Sequence, residues 1–326
     1  MLEPPAFTDS PLLTAHPIPW GAHPLFRMRH HTLRALLCAL FLAPTVAFAQ
    51  LGPTLTLTSE VWPSRSLSNA EIAGDAVALD GTTLATVSNG LALSYPVVRG
   101  GGRTILVPRL SVQQLRFDHD GWPRDTPVAD EAYLIDLGLS VQHQLSARWA
   151  LRADLSPSLA SDFDQTLAAD DFVLQGAALA IWHATPRFAA GFGAAYSTVF
   201  GTPVPIPLVL LQGSGDGWRA EAFLPASVEA WWVPSERVEM GLSVQALGNR
   251  HRLGAHEGLL DRPYAEALTL TAGPSVNVRL TPWLRVGLDS GLSLYRQVRV
   301  TDGDDEVNRY EPGQAFFVRT RLTLGR

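Results

Sequence analysis

Lysine is absent. All 25 basic residues of this 326-residue chain are arginine, and they are scattered along it. With no basic patch and a formal net charge of −6, a nucleic acid has no electrostatic footprint to meet. Charge of either sign is scarce, at 17% of residues against roughly 25% in an ordinary soluble domain. Hydrophobic residues make up 46%, which excludes disorder. Beyond residue 50 no apolar run reaches about 18 residues, so that part has no candidate transmembrane helix. Cysteine is nearly missing. The one residue, Cys38, lies in a segment expected to be removed, and Leu37 before it is too large for a lipoprotein signal. The mature chain then has no thiol nucleophile, no disulfide and no Cys-ligated metal.

That segment is an export signal. Arg29 and Arg34 form a positive start, Ala35 to Val46 an apolar stretch, and Ala47-Phe48-Ala49 a small-x-small cleavage site before Gln50. Residues 28–49 are therefore read as a signal peptide. Residues 1–27 are Pro-rich and have no core-forming period, so translation is expected to begin at Met28, with 1–27 an upstream extension. Residues 50–326 form the mature domain.

The mature domain alternates with period 2. Tyr133, Ile135, Leu137, Leu139 and Val141 form one row, against Asp136, Gly138, Ser140 and Gln142. Further apolar rows run from Trp149 to Leu155, Phe172 to Trp182, Phe188 to Tyr196, Trp218 to Trp232, Val238 to Ala246, Leu268 to Leu280, Leu284 to Leu294 and Phe316 to Leu324. None contains a charge. This is the pattern of strands, held for longer than the five or six residues usual in soluble sheets.

Short connections at 98–103, 146–148, 184–187, 234–237 and 281–282 alternate with long polar ones near 62–87, 118–130, 158–170, 199–216, 249–263 and 297–312. Short turns at one end and long loops at the other are the habit of outer-membrane barrels. The reading is an all-β, antiparallel, up-and-down transmembrane barrel of about 12 strands. Ile206–Leu211 is a further candidate strand, which would need another hairpin to keep the count even.

Alternation alone does not say which row faces inward, and a secreted β-sandwich would bury the apolar one. Three features favour the barrel. The strands reach the 9–11 residues that cross a bilayer. Aromatics gather near strand ends, as in interfacial girdles: Tyr133, Trp149, Phe172, Trp182, Phe188, Tyr196, Trp218, Trp232 and Phe316. An export signal is present without a helical anchor. Closure satisfies every backbone donor and acceptor in lipid, which is why strands cross membranes as barrels. Gly-Leu-Ser-Val-Gln occurs at 138–142 and again at 241–245, with Gly and Ser on the polar row. Small residues there let a narrow sheet curve.

Within Gly191–Gly248 lie Tyr196, Phe200-Gly201-x-Pro203, Ile206-Pro207, Trp218, Leu224-Pro225 and Trp231-Trp232. This stretch resembles the uncharacterised outer-membrane β-barrel family known as domain of unknown function 6268. The resemblance implies an outer-membrane barrel and carries no activity, ligand or catalytic residue.

Catalytic signals are thin. No Gly-x-Ser-x-Gly elbow occurs. His256-Glu257 lacks the second histidine of a zinc helix. Asp118-His119-Asp120 and the acidic run Asp302, Asp304, Asp305 and Glu306 read as hydrated loops, lacking ligand number and calcium-loop spacing. Gly100-Gly101-Gly102 reads as a turn. No enzyme activity, cofactor or metal is expected.

The polar rows carry the functional hint. Asp136, Arg152, Asp154, Arg219, Glu221, Glu239, Arg279, Arg285, Asp289, Arg319 and Arg321 are the candidate lumen-lining residues. Opposite signs in a narrow lumen either pair as a structural network or line a path for a small solute. The function expected is that of a narrow outer-membrane channel or transporter. The alternative is a surface or envelope protein acting through its long loops. The expected partners are outer-membrane lipid and the barrel-insertion machinery.

Overall fold

A computed structural model describes residues 52–72, 75–77, 81–121, 130–163, 166–198, 204–253, 263–303 and 305–325. The expected signal peptide and the stretch before it lie outside these residues, as does His256-Glu257.

Seventeen strand segments follow in chain order: β1 (Thr54–Ile72), β2 (Asp75–Val77), β3 (Thr83–Ser94), β4 (Val97–Arg99), β5 (Thr104–Asp120), β6 (Glu131–Gln144), β7 (Trp149–Ser161), β8 (Phe172–Thr185), β9 (Phe188–Ser197), β10 (Val204–Gly215), β11 (Trp218–Leu224), β12 (Ser227–Ser235), β13 (Val238–Arg252), β14 (Pro263–Thr281), β15 (Leu284–Asp302), β16 (Asp305–Pro312) and β17 (Phe316–Leu324). β2 and β4 are three-residue pieces, and β16 and β17 succeed one another between the same neighbours, β15 and β1. The sheet therefore has 14 staves. Each pairs antiparallel with the next, and β17 returns to β1 with Leu55 opposite Leu324 and Val61 opposite Val318. The sheet is a closed barrel.

The expectation of about 12 strands is corrected to 14, for two reasons. The presumed loop 199–216 contains β10, fully paired with β9 and β11. The apolar row from Trp218 to Trp232 is two strands, β11 and β12, joined through Pro225 and Ala226. A two-residue turn preserves parity, so even positions stay outward on both sides of it and the alternation shows no break. The presumed long connections 62–87 and 297–312 are likewise mostly strand, supplied by β1, β3, β15 and β16.

The wall is uneven in height. β1, β14 and β15 have 19 residues each, and β11 and β12 have 7 and 9. At about 3.3 Å per residue and a tilt near 40°, a 19-residue strand rises about 48 Å and a 7-residue strand about 18 Å. An apolar outer band is about 25 Å tall, so the long staves stand well clear of it. On the outer row of β13, Met240, Leu242, Val244 and Ala246 give way to Gly248, Arg250 and Arg252. On β14, Leu270 and Leu268 give way to Glu266 and Tyr264.

Above the low wall the tall staves close on themselves. Ser161 at the end of β7 pairs parallel with Arg252 at the end of β13, and Asp162 N–H donates to the Arg252 carbonyl at 3.3 Å. The upper ring thus consists of β13, β14, β15, β16, β1, β3, β5, β6 and β7. Nine staves with antiparallel neighbours leave one junction that must be parallel, and this is that junction. Arg252 Nη1 also donates to Asp171 Oδ2 at 3.0 Å, pinning the seam from the β7–β8 connection.

Candidate functional site

In a closed sheet the more buried face is the inner one. Leu137, Phe172, Leu174, Phe192 and Leu242 on the outer rows are largely exposed, whereas Asp136, Ser158, Ser275, Asp289 and Ser293 on the opposite rows are buried. The outer aromatics form cross-strand pairs near the short turns, Trp149 opposite Trp182 and Trp218 opposite Trp232.

The eleven charged residues picked out from the sequence share the inner face by register. Asp136 accepts from Arg109 Nη2 at 3.3 Å and from Ser158 Oγ at 3.0 Å. Arg152 Nε donates to Asp154 at 2.9 Å. Arg219 reaches from β11 to Glu239 on β13 at 3.1 Å, and Glu221 accepts from Gln212 at 2.7 Å. Asp289 accepts from Arg321 Nη2 at 2.7 Å and lies 4.0 Å from Arg319 Nη1. Arg279 and Arg285 sit opposite one another near the β14–β15 turn, with no ion pair among the described residues.

The two sides of the inner face differ. From β7 to β10, Ala150, Leu179, Ile181, Ala189, Leu208 and Leu210 form a buried apolar cluster, with Phe223 of β11 packed against it. On β9, Gly191 lies between Ile181 of β8 and Leu210 of β10, and Gly193 between Leu179 and Leu208. A Cβ at Gly193 would overlap the Ala178 carbonyl, so this position admits only glycine at the observed strand approach. The repeat glycines have a different use. Gly138 lies under the Arg109 guanidinium and Gly241 under the Trp231 ring, each directly across from its partner. A large inner side chain on one strand is accommodated by a glycine on the next.

The opposite side is polar. Arg319 donates from Nε to Glu60 Oε2 at 2.9 Å and from Nη1 to Gln245 Oε1 at 3.0 Å. It thus links β17 to β1 and reaches across to β13, and Gln245 passes the link to Glu229 at 3.1 Å. Beside this network Trp62 stacks on Phe317, with ring centroids 4.9 Å apart. Arg296 stands with its guanidinium 5.0 Å from the centroid of Trp62.

Toward the long-loop end the ring is filled. Leu67, Leu84, Leu253, Val300 and Tyr310 form a buried cluster, joined by Phe117, Ala265 and Val298, with members from most of the nine staves. His251 is buried in the same ring, and burial pushes its pKa down to about 4, against a smaller opposing pull from the Tyr133 backbone. Below this packing lies a cavity of about 110 Å³, lined by Glu60, Trp62, Gln113, Leu115, Phe117 and Arg296 among others.

Several of these residues escape the sequence reading. Glu60 and Trp62 continue the inner row of β1, whose Thr54, Thr56 and Thr58 give no charge signal. Arg296 is hidden by a bulge. Leu270 pairs with Tyr295 and Thr271 with Ser293, so Leu294 is the extra residue and Arg296 turns inward although it shares the parity of the outer row Leu284–Leu294. Asp118-His119-Asp120 ends β5 rather than standing in a loop, and His119 Nε2 lies 2.9 Å from Asp130. Glu306 pairs with Arg309 at 2.7 Å and Arg299 at 3.7 Å. Among the described residues no three acidic, cysteine or histidine side chains gather in a metal-binding group.

A sequence profile described as Domain of unknown function (DUF6268) matches residues 47–307. The chain belongs to this family. No curated protein matches it. Among solved structures, the COG4313 outer membrane channel from Pseudomonas putida F1 is 12% identical, with 87% of this chain and 99% of that chain covered and a TM-score of 0.44. A FadL homologue from Pseudomonas aeruginosa is 10% identical, with 83% and 89% covered and a TM-score of 0.42. The toluene transporter TodX of Pseudomonas putida is 10% identical, with 88% and 93% covered and a TM-score of 0.35.

Proposed function

We propose that this family member is a bacterial outer-membrane barrel that conducts a small solute along a narrow inner path. A belt of exposed apolar side chains ringed by Trp and Tyr suits a bilayer, and closure of the ladder leaves no sheet edge in lipid. The observation that carries conduction is the cavity of about 110 Å³ held inside the barrel between the packed upper ring and the Glu60–Arg319–Gln245 network. Glu60, Thr86, Ser88, Gln113 and Arg296 on its lining suit a hydrated space, as a path for a small solute requires. The mixed signs of the inner charges favour weak ion selectivity, since strong selectivity needs a ring of one sign.

The test is electrical. Purified folded protein in planar bilayers is expected to give small, infrequent currents, and the double variant Leu84→Ala/Tyr310→Ala, which thins the upper ring, larger ones. Porin-sized currents from the wild type would refute the narrow path. A second reading, a non-conducting envelope protein, is favoured by the completeness of the upper-ring packing. It is the one left standing if both proteins are folded and silent.

A further inference from the structure

Arg296 is anomalous among the inner arginines. Its residue is 8% exposed, its side chain makes no ion pair and no hydrogen bond among the described residues, and its Nη1 is buried without a partner. Its one contact of note is the face of Trp62. The carboxylates of the neighbouring network are committed elsewhere, Glu60 to Arg319 and Asp289 to Arg321. Gln245 and Trp231 hold Glu229. Among Glu60, Asp289, Arg296, Arg319 and Arg321 there is one more guanidinium than carboxylate. The charge of Glu60 reaches Arg296, but that carboxylate is ion-paired to Arg319. A buried cation without an ion pair or hydrogen bond of its own is costly, and a bulge is used to turn this one inward. It lines the cavity of about 110 Å³.

The rest of the lining is of two kinds. Trp62, Leu84, Leu115 and Phe117 offer aromatic and aliphatic surface, and Thr86, Ser88 and Gln113 offer hydroxyl and amide groups. For scale, an apolar cavity of about 150 Å³ takes one benzene molecule, so a ring bound here fills the cavity and extends through its open side into the barrel interior. A guanidinium presents a planar fork that matches a carboxylate, and it stacks well beside an aromatic ring.

We infer that this cavity is a binding site for a small organic monocarboxylate with an apolar body about the size of one six-membered ring. Arg296 takes the carboxylate, and Trp62, Leu115 and Phe117 take the body. The inference names the solute class for the path proposed above and rests on that reading only for its transport consequence; the binding itself is separable. Glu60, fixed on Arg319, stands on the same lining and repels a second negative charge, which restricts the ligand to one.

The experiment uses 4-fluorobenzoate as probe and follows its fluorine resonance by NMR with folded full-length protein in detergent micelles. Broadening that unlabelled benzoate reverses is expected, whereas benzamide, neutral and of the same shape, and acetate, charged but without a ring, compete at least tenfold more weakly. Arg296→Gln is expected to weaken binding tenfold or more. Arg279→Gln, the loss of another unpaired inner arginine near the β14–β15 turn, leaves it unchanged. Because the Arg296 side chain makes no ion pair and no hydrogen bond in the empty barrel, Arg296→Met should fold with a thermal midpoint no lower than that of the wild type. Equal competition by benzamide, unaltered binding in Arg296→Gln, or no broadening by wild type at millimolar probe would each overturn the site. Binding without uptake of benzoate into proteoliposomes leaves the site and removes the channel; uptake unaffected by Arg296→Gln leaves the channel and removes the site.

Discussion

The low side of the barrel and its tall side are made from the same alternation and differ in strand length and in what fills the inner row. From β8 to β10 that row is mainly alanine, glycine, leucine and isoleucine with a few polar residues, and the leucines and isoleucine of β8 and β10 meet over the glycines of β9. Such a contact is complete within three or four strands and makes no demand on the far wall. From β13 through β1 to β7 the row carries carboxylates, amides and guanidinia, whose partners lie one to three strands away. These staves extend beyond the apolar belt, where a second ring and its own apolar packing close the interior. The apolar rows of β8 to β10 thus need no partner beyond their neighbours, whereas the charged rows depend on links across strands, as short β11 does through Arg219 to Glu239 on β13.

The comparison is broken most severely at Gly193. Gly193→Leu places a side chain where the Ala178 carbonyl stands, so no heat-modifiable barrel is expected on semi-native gels. The low wall cannot form, whatever the tall wall does.

On the tall side the largest effect is expected at Asp289. It is buried and serves Arg321 and Arg319, and breaking a buried pair costs about 3–5 kcal/mol. Urea midpoints of Asp289→Ala in lipid vesicles measure this. A loss below 1 kcal/mol, with a shift toward anion preference in bilayers, would indicate an interior wet enough to solvate the freed arginines.

Membrane orientation is tested by adjacent positions. Leu242 is 66% exposed on the outer row, and arginine near the bilayer midplane costs about 2–4 kcal/mol. Leu242→Arg should impair insertion much more than Ser243→Arg, and Leu139→Arg more than Ser140→Arg. Equal damage within each pair would contradict the assignment of faces.

The upper ring carries its own titration. The His251 imidazole has a pKa of about 4 in the folded ring, lowered by burial, against about 6.5 in an unfolded chain. The unfolded state binds the proton more tightly, so stability is lost as pH falls from 6.5 to 4 and is unaffected above that window. The loss amounts to about 3 kcal/mol at one full window's span. Urea midpoints at pH 7 and pH 4.5 should separate, and His251→Gln should bring them together.

The smallest effect is expected where the charges are wet. Arg152 and Asp154 form a part-exposed pair within one strand, and such pairs contribute about 0–1 kcal/mol. Asp154→Ala should be nearly silent by the same urea measurement, in contrast to Asp289→Ala.

Much of this was legible in the chain. The apolar rows named from the alternation, on β6 to β9, β11 to β15 and β17, share one face of the sheet up to the bulge at Leu294, because a closed sheet leaves each side chain two choices and lipid permits only one kind on the outside. The aromatic tiers follow for the same reason. The strand count was not legible, because the turn at Pro225 and Ala226 keeps parity and leaves no gap in the pattern. Residues 199–216 read as a long connection with only Ile206–Leu211 as a candidate strand, whereas β10 runs from Val204 to Gly215 and carries Pro205 and Pro207 in the outer row. Nor does any local signal announce that β7 meets β13, since the two ends are about ninety residues apart in sequence.

The sequence by itself determined that alternate side chains would be divided between two environments, and hence a barrel with a charged interior. Only the tertiary structure decided which charges meet, which wall is tall and where the interior is filled. Arg296 marks the boundary between the two. Its parity sends it outward, and a single extra residue in β15 sends it inward, onto Trp62 and into the cavity. A bulge shifts register by pairing two residues against one, and that pairing exists only once the neighbouring strand is in place.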